Sequence, residues 1–376
     1  MIEKEKKIYI IAGEASGDLH ASNVMKELLN QDPSIRFRFW GGDKMAEVAG
    51  EPVKHIKELA FMGFVEVIMN LRTILGNMKF CKADIEAFNP DVLVLVDYPG
   101  FNLRIAEWAH EKGIKVVYYI SPQIWAWKQN RVHKIKKVVD EMLVILPFEQ
   151  EFYQRFQMDV EFVGHPLLDA IEQYEEIAIS TEEFIAKNHL LDKKIIAVLP
   201  GSRKQEVLKK LPIMLEGVKD FTDYQVVIAG APSLTEEFYA PMLNENCSIV
   251  HGQTYNLLNC AEVAVVTSGT ATLETALFEV PEVVCYKGSQ ISYSIAKKLI
   301  KIKFISLVNL IMDKEIVTEL IQHECNAKRI KEELSKIVHG GSEREKMIQS
   351  FIELKTKLGG GGASKKVAQS LLKTID

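Results

Sequence analysis

Two doubly wound α/β domains are the fold class the sequence predicts, and three observations predict it. The chain has 376 residues, more than one hydrophobic core usually organises. Short β-branched runs alternate with helical patterns through the first half, at spacings that admit crossover helices and so imply a largely parallel sheet. After a Glu-rich stretch the same alternation begins again. A hydrophobic content of 47% and a charged content of 26% suit a globular protein, and a net charge of -5 argues against general nucleic-acid binding.

In the first domain Lys7 to Ala12, Ile35 to Trp40, Val92 to Val96, Val116 to Ile120, Met142 to Leu146 and Val160 to Val163 read as strands. The domain boundary falls between Pro166 and about Leu191, where Ser180 and Glu183 have capping-box spacing. Strands restart at Ile195 to Leu199, Val226 to Ala229, Ser248 to Val250, Val263 to Val266 and Val283 to Tyr286. Ser202 with Gln205 suggests another capping box after the first of them. Ala327 to Ile375 reads as helical, broken at His339-Gly-Gly-Ser342 and at Gly359 to Gly362. The expected division is 1–175, 176–345 and terminal helices over 346–376. Two such domains are expected to face a shared cleft, with ligands at the carboxyl ends of the strands.

Five scattered cysteines (Cys81, Cys247, Cys260, Cys285 and Cys325) have no ligand spacing and suit a reducing compartment. The N-terminus runs into the first strand without a signal-like segment, and no apolar stretch reaches the length of a membrane span. A cytoplasmic location is expected. No DxD pair in a strand-end loop, HExxH or paired-His site appears, so neither a metal nor another cofactor is expected.

Several strand-end loops carry residues suited to chemistry. Val265-Val-Thr-Ser-Gly-Thr-Ala-Thr-Leu-Glu274 joins a strand to a helix through Ser268, Gly269 and Thr270, which presents backbone N–H groups to an anion. If the anion is the pyrophosphate of a nucleotide, Glu274, one turn after Thr270, could accept from ribose hydroxyls on the same face; simple capping with a solvated glutamate is the alternative. Ala12-Gly-Glu-Ala-Ser-Gly-Asp18 occupies the first strand-to-helix turn without being GxGxxG. Glu14 or Asp18 could accept from sugar hydroxyls, although Ser16 or Asp18 could equally cap the helix. Asp91-Val-Leu-Val-Leu-Val-Asp97 places Asp97 at a strand's carboxyl end, where partial desolvation would suit a general base; an Asx turn before Pro99 is the alternative.

Trp125 and Trp127 would point to opposite faces of an extended segment, so one is expected in the core and the other as a ligand wall. Arg203 lies where a guanidinium and a helix N-terminus could jointly hold phosphate. Phe61 to Lys79 is apolar over more of its circumference than a surface helix needs, which suits a membrane-contacting, acyl-binding or buried helix. Lys297, Lys298, Lys301 and Lys303 form a basic amphipathic segment that could meet anionic lipid or be merely solvated.

In this order the motifs resemble the lipid A disaccharide synthases, glycosyltransferases of GT-B architecture. The resemblance runs from Ile8 to Asp18 through Met62-Gly-Phe-Val-Glu-Val67, Ser121-Pro-Gln-Ile-Trp-Ala-Trp127, Leu146-Pro-Phe-Glu149, Phe162-Val-Gly-His165, Leu199-Pro-Gly-Ser-Arg203 and Ser268 to Glu274, ending at Ser306-Leu-Val-Asn-Leu310. It implies transfer of UDP-activated 2,3-diacylglucosamine to the 6-hydroxyl of 2,3-diacylglucosamine 1-phosphate (lipid X), with inversion, a β-1,6 bond and release of UDP. It implies Asp97 as base, with Glu14 and Asp18 as further catalytic residues on the loop that faces the sugars and Ser16 and Gly17 binding substrate beside them. Arg203, Ser268, Gly269, Thr270 and Glu274 fall on the nucleotide side, and Asn309 matches a functionally important asparagine. Such enzymes work peripherally at the inner membrane of Gram-negative bacteria, and in related transferases a terminal helix returns to the first domain. The sequence leaves open whether the chain forms a homo-oligomer. A soluble UDP-N-acetylglucosamine epimerase or peptidoglycan-type glycosyltransferase shares the architecture, and a nucleotide-sugar or lipid-binding module without catalysis is a third reading.

Overall fold

The computed structural model describes residues 5–59, 71–244, 246–289, 293 and 302–375. They form two compact units, one running to Asp169 and resuming at Leu358, the other spanning Ala170–Lys357.

The first unit holds a seven-stranded parallel sheet of order β3-β2-β1-β4-β5-β6-β7. Its strands are β1 (Lys7–Ala12), β2 (Arg36–Gly41), β3 (Lys54–His55), β4 (Val92–Val96), β5 (Val116–Tyr119), β6 (Glu141–Val144) and β7 (Glu161–Phe162). All five residues of β4 are buried, as expected of a central parallel strand covered on both faces. β1 pairs with β2 on one side and β4 on the other, with Ala12 opposite Val96, so the strand order reverses at β1 and β4. At such a reversal the loops that leave the two strands diverge and open a ligand crevice.

The second unit repeats the plan with six parallel strands in the order β10-β9-β8-β11-β12-β13. They are β8 (Lys194–Leu199), β9 (Tyr224–Gly230), β10 (Cys247–His251), β11 (Ala261–Thr267), β12 (Glu282–Tyr286) and β13 (Thr318–Ile321). The reversal lies between β8 and β11, where Val266 pairs with Leu199. Phe184, Ile195, Leu199, Leu257 and Val266 anchor this unit's core.

Differences from the sequence reading have local causes. β3 and β13 were not expected. The strand after Val116 stops at Tyr119 because Ile120 turns to a positive φ of 65°. The next one stops at Val144, since Leu146 is already the N-cap of the Pro147–Gln154 helix. Ser180 accepts from Glu183 N at 3.2 Å and caps the Thr181–Lys187 helix. Ser202 caps nothing: Arg203 is the N-cap residue, and the Lys204–Val218 helix begins one position later than the capping box required.

The Arg344–Lys357 helix stays with the second unit, where Arg344 donates to the Glu262 and Ile337 carbonyls and Lys355 pairs with Glu279 at 2.8 Å. Gly359, Gly360 and Gly362 then adopt positive φ, and the final helix, Ala363–Ile375, packs in the first unit. Asp169 fixes its start by accepting from Gly362 N (2.7 Å), Ala363 N (3.1 Å) and Ser364 N (2.7 Å). Val367, Ala368 and Leu371 complete a core that contains Ile8, Ile10, Val94 and Val96.

Among the described residues no helix is long and apolar enough to cross a membrane. Residues 61–70 and Lys297, Lys298 and Lys301 lie outside the described residues. Lys303 pairs with Asp313 at 2.8 Å.

Candidate functional site

In the first unit the two loops at the reversal carry Glu14 and Asp97. Glu14 occupies the N-cap position of the Ala15–Gln31 helix without using its side chain to cap, and it is exposed, as is Ser16. Asp97 and Tyr98 both adopt left-handed backbone, at φ 45° and 48°. An aspartate tolerates that conformation, but for a tyrosine it costs on the order of 1–3 kcal/mol unless the surroundings enforce it. They do. Tyr118 Oη donates to the Asp97 carbonyl at 2.6 Å, Asn102 Nδ2 donates to the same oxygen at 2.8 Å, and Asp97 N donates to the Tyr119 carbonyl at 3.0 Å. Pro99 opens the following helix with φ already suited to it. The Tyr98 ring lies against Gly13, where a Cβ would fall 2.3 Å from its Cγ, so only glycine fits there.

This clamp holds the Asp97 carboxylate half-buried beside Glu14. Burial, reinforced by the Glu14 charge and opposed by a hydrogen bond from Tyr98 N, raises its pKa to about 6. A carboxylate so tuned can be ionised at neutral pH and still take a proton from a hydroxyl.

Other expected residues of this unit have different tasks. Asp18 is almost wholly buried, and its carboxylate accepts from Gly42 N (2.6 Å), Lys44 N (3.0 Å) and Met45 N (3.1 Å). It caps the Asp43–Ala49 helix, buried away from any substrate by three backbone donors, and it does not cap its own helix. Gly17 is turned toward the sheet, its Cβ position 3.4 Å from Ala12 Cβ, so it serves helix packing and not a sugar. Trp125 is core, edge-on to Phe148 at 4.9 Å, and not a ligand wall. Trp127 is 41% exposed, with Lys128 Nζ 4.4 Å and the Arg131 guanidinium 5.6 Å from its ring.

The second unit repeats the arrangement with anion-binding groups. Arg203 follows β8, largely exposed, 3.6 Å from Glu206. Ser268, Gly269 and Thr270 follow β11, and a Cβ added at Gly269 would meet open space. The first N–H groups of the Thr270–Leu277 helix therefore point out of the carboxyl end of the sheet. Glu274 accepts from Tyr255 Oη at 3.1 Å within a Tyr174, Tyr255 and Phe278 cluster, and burial raises its pKa.

Asn309 is fully buried and fully engaged. Its Nδ2 donates to the Val317 carbonyl (2.8 Å) and Glu319 Oε1 (2.9 Å), while its Oδ1 accepts from Ile316 N (2.7 Å) and Val317 N (3.0 Å). It cannot touch a substrate. Glu319 in turn accepts from Ile305 N and Ser306 N, both at 2.9 Å, and Ser268 Oγ donates to the Ile305 carbonyl at 3.4 Å. Asn309 thus braces the segment on which the Ser268 loop rests.

Sequence reasoning missed Tyr118 and Asn102, which hold Asp97, and Lys210, which lies buried against Thr267. Asn102 was signalled by its place one turn into the helix after Asp97. Lys210 gave no signal, since its helical context reads as a solvated face.

Residues 8–373 match the family model described as lipid-A-disaccharide synthetase. The chain belongs to the lipid-A-disaccharide synthase family. Among curated relatives, the lipid-A-disaccharide synthase of Geobacter metallireducens is 37% identical over 378 residues, covering 98% of this chain and 97% of that protein. That of Syntrophus aciditrophicus is 39% identical and covers 98% of both. As a member of this family the chain is a glycosyltransferase of lipid A biosynthesis.

Solved structures extend the likeness in fold alone. The UDP-GlcNAc 2-epimerase of Neisseria meningitidis, bound to UDP-GlcNAc, aligns with a TM-score of 0.67 at 14% identity, covering 98% of this chain and 100% of that one. The glycotransferase of kitacinnamycin aligns at 0.66 with 13% identity, covering 99% and 100%. This lipid-A-disaccharide synthase relative therefore shares the GT-B architecture of two parallel-sheet units with both.

Proposed function

We propose that the chain transfers 2,3-diacylglucosamine from its UDP derivative to the 6-hydroxyl of 2,3-diacylglucosamine 1-phosphate, forming a β-1,6 bond and releasing UDP. The observation that carries this reading is the clamped Asp97 carboxylate, raised to about 6 by burial and by Glu14. It takes the proton of the acceptor hydroxyl as that oxygen attacks the anomeric carbon, and the bond to the diphosphate breaks on the opposite face, which inverts the centre. Glu14 and Ser16 accept from and orient sugar hydroxyls, and Trp127 offers an exposed ring to the acceptor.

The leaving UDP gathers negative charge, and Arg203 together with the N–H groups of Gly269 and Thr270 stabilises it, the Ser268 N–H being given to the Cys285 carbonyl at 3.0 Å. Glu274, with one oxygen held by Tyr255, receives the ribose hydroxyls. Peripheral attachment to the inner face of a Gram-negative inner membrane suits the acylated substrates. Leu75 at 56% and Phe80 at 49% exposure put apolar surface on the Leu71–Phe88 helix that continues the 61–80 stretch.

Purified protein given UDP-diacylglucosamine and the acylated sugar phosphate should release UDP and form the disaccharide, while unacylated UDP-N-acetylglucosamine should be a poor donor. Epimerisation of UDP-N-acetylglucosamine without an acceptor would replace this reading with the epimerase one.

A further inference from the structure

We propose that Lys210 is a positioning residue for the nucleotide: a buried cation that ties the two anion-binding loops of the second unit together and lends its charge to a bound diphosphate. This rests on the nucleotide reading of those loops.

Lys210 is only 3% exposed, an unusual state for a lysine, since burying an ammonium is costly unless it is paired. It sits two turns into the Lys204–Val218 helix, and its side chain runs back toward the helix N-terminus, the direction helical side chains favour. There it donates to Thr267 Oγ1, on the last residue of β11 and next to Ser268. A Cβ built on Gly201, in the loop after β8, would lie 3.8 Å from Lys210 Nζ and 3.1 Å from Thr267 Cγ2. Gly201 has a positive φ of 103°, so the loop after β8 closes directly over this contact. One ammonium therefore underlies both loops at the strand reversal.

Lys210 pairs with Glu206 at 3.5 Å, and Glu206 also pairs with Arg203 at 3.6 Å, so one half-exposed carboxylate serves two cations. A cation kept out of water beneath an anion loop acts through low-dielectric surroundings, where its field reaches further than that of a solvated lysine. As a stabilising device it would be a poor choice, because an apolar side chain of similar size usually packs there at no loss.

The test is calorimetric binding of UDP, UMP and uridine to the full chain, its Lys210→Met variant and its Thr267→Val variant. Lys210→Met keeps the length of the side chain and removes the charge. It should weaken UDP roughly tenfold or more, the size of one charge-assisted contact, and leave uridine unchanged. In turnover it should raise KM for the nucleotide donor, and Lys210→Arg should recover part of the UDP affinity. Thr267→Val, which breaks the tether and keeps the core, should weaken UDP to a smaller degree and so keeps the question open to measurement if Lys210→Met fails to fold. Equal UDP affinity in the wild type and Lys210→Met, or equal losses for UDP and uridine, would overturn the inference. A wild-type chain that binds no UDP would instead overturn the nucleotide reading beneath it.

Discussion

Glu14 and Asp97 stand at the carboxyl ends of neighbouring strands, and burial together with the charge of Glu14 keeps the Asp97 carboxylate near the midpoint of its titration at about 6. The deprotonated form is the base, so kcat/KM should fall below about pH 6. Glu14→Gln removes the repulsion without removing the burial, and the midpoint of the acid limb should move to lower pH. A pH–rate profile of both proteins checks this. An unmoved limb would leave Glu14 no electrostatic part.

Asp97→Asn should abolish most turnover and spare UDP binding, because Asp97 belongs to the unit that lacks the proposed nucleotide loops. Its stability should change in the other direction. Between the ordinary carboxylate value and about 6 the folded chain holds more protons on Asp97 than the unfolded chain, so stability declines as pH rises through that window. At neutral pH the variant should therefore be more stable by about 1–2 kcal/mol, with the gain vanishing near pH 4. Denaturant unfolding at the two pH values measures it.

Asp18→Ala strips the Asp43–Ala49 helix of an acceptor for three backbone N–H groups and should cost about 2–4 kcal/mol. Gly42→Ala should behave similarly, since its Cβ would lie 2.6 Å from Asp18 Oδ2. Thermal melts decide between this and a sugar-binding role, which would show as a lower turnover at unchanged stability.

For Asn309 the informative comparison is between two substitutions. Asn309→Asp replaces an Nδ2 donor by an oxygen facing the Val317 carbonyl and Glu319, whereas Asn309→Ala removes the group. The aspartate should destabilise more, and both should cost about 2 kcal/mol or more, with weaker UDP binding through the Ser268 loop. If Asn309→Ala lowered activity without moving the unfolding transition, bracing would not be its task.

What the sequence disclosed depends on how far each residue acts. The β1, β4, β8 and β11 runs are apolar on both faces and lead into Gly13, Asp97, Pro200-Gly201 and Ser268, so the two sheets and the four loops at their reversals could be read directly. β3 is a polar pair at the sheet edge, and β13 contains Glu319, whose carboxylate serves a neighbouring turn, so neither carries an apolar pattern. Asp18 looked like a ligand residue because local sequence shows that a carboxylate is present at a loop but not that its partners are Gly42, Lys44 and Met45. Asn309 misled for the same reason. The lysine at 210 was hidden because burial beneath a loop is a property of the assembled sheet.

The final helix gives the first unit an unusual order of assembly. Leu371 shares a core with Ile8, so the hydrophobic centre begun by the first strand is closed by a helix that follows the whole second unit in the chain. Domains generally mature from the N-terminus during synthesis, whereas this one waits, with the face of β1 and β4 covered only in part by the Ala15–Gln31 helix, until the whole second unit has been made. The first unit is thus an open box while the second is being made, and a chain cut before Ala363 would leave the part that bears Asp97 permanently unsealed.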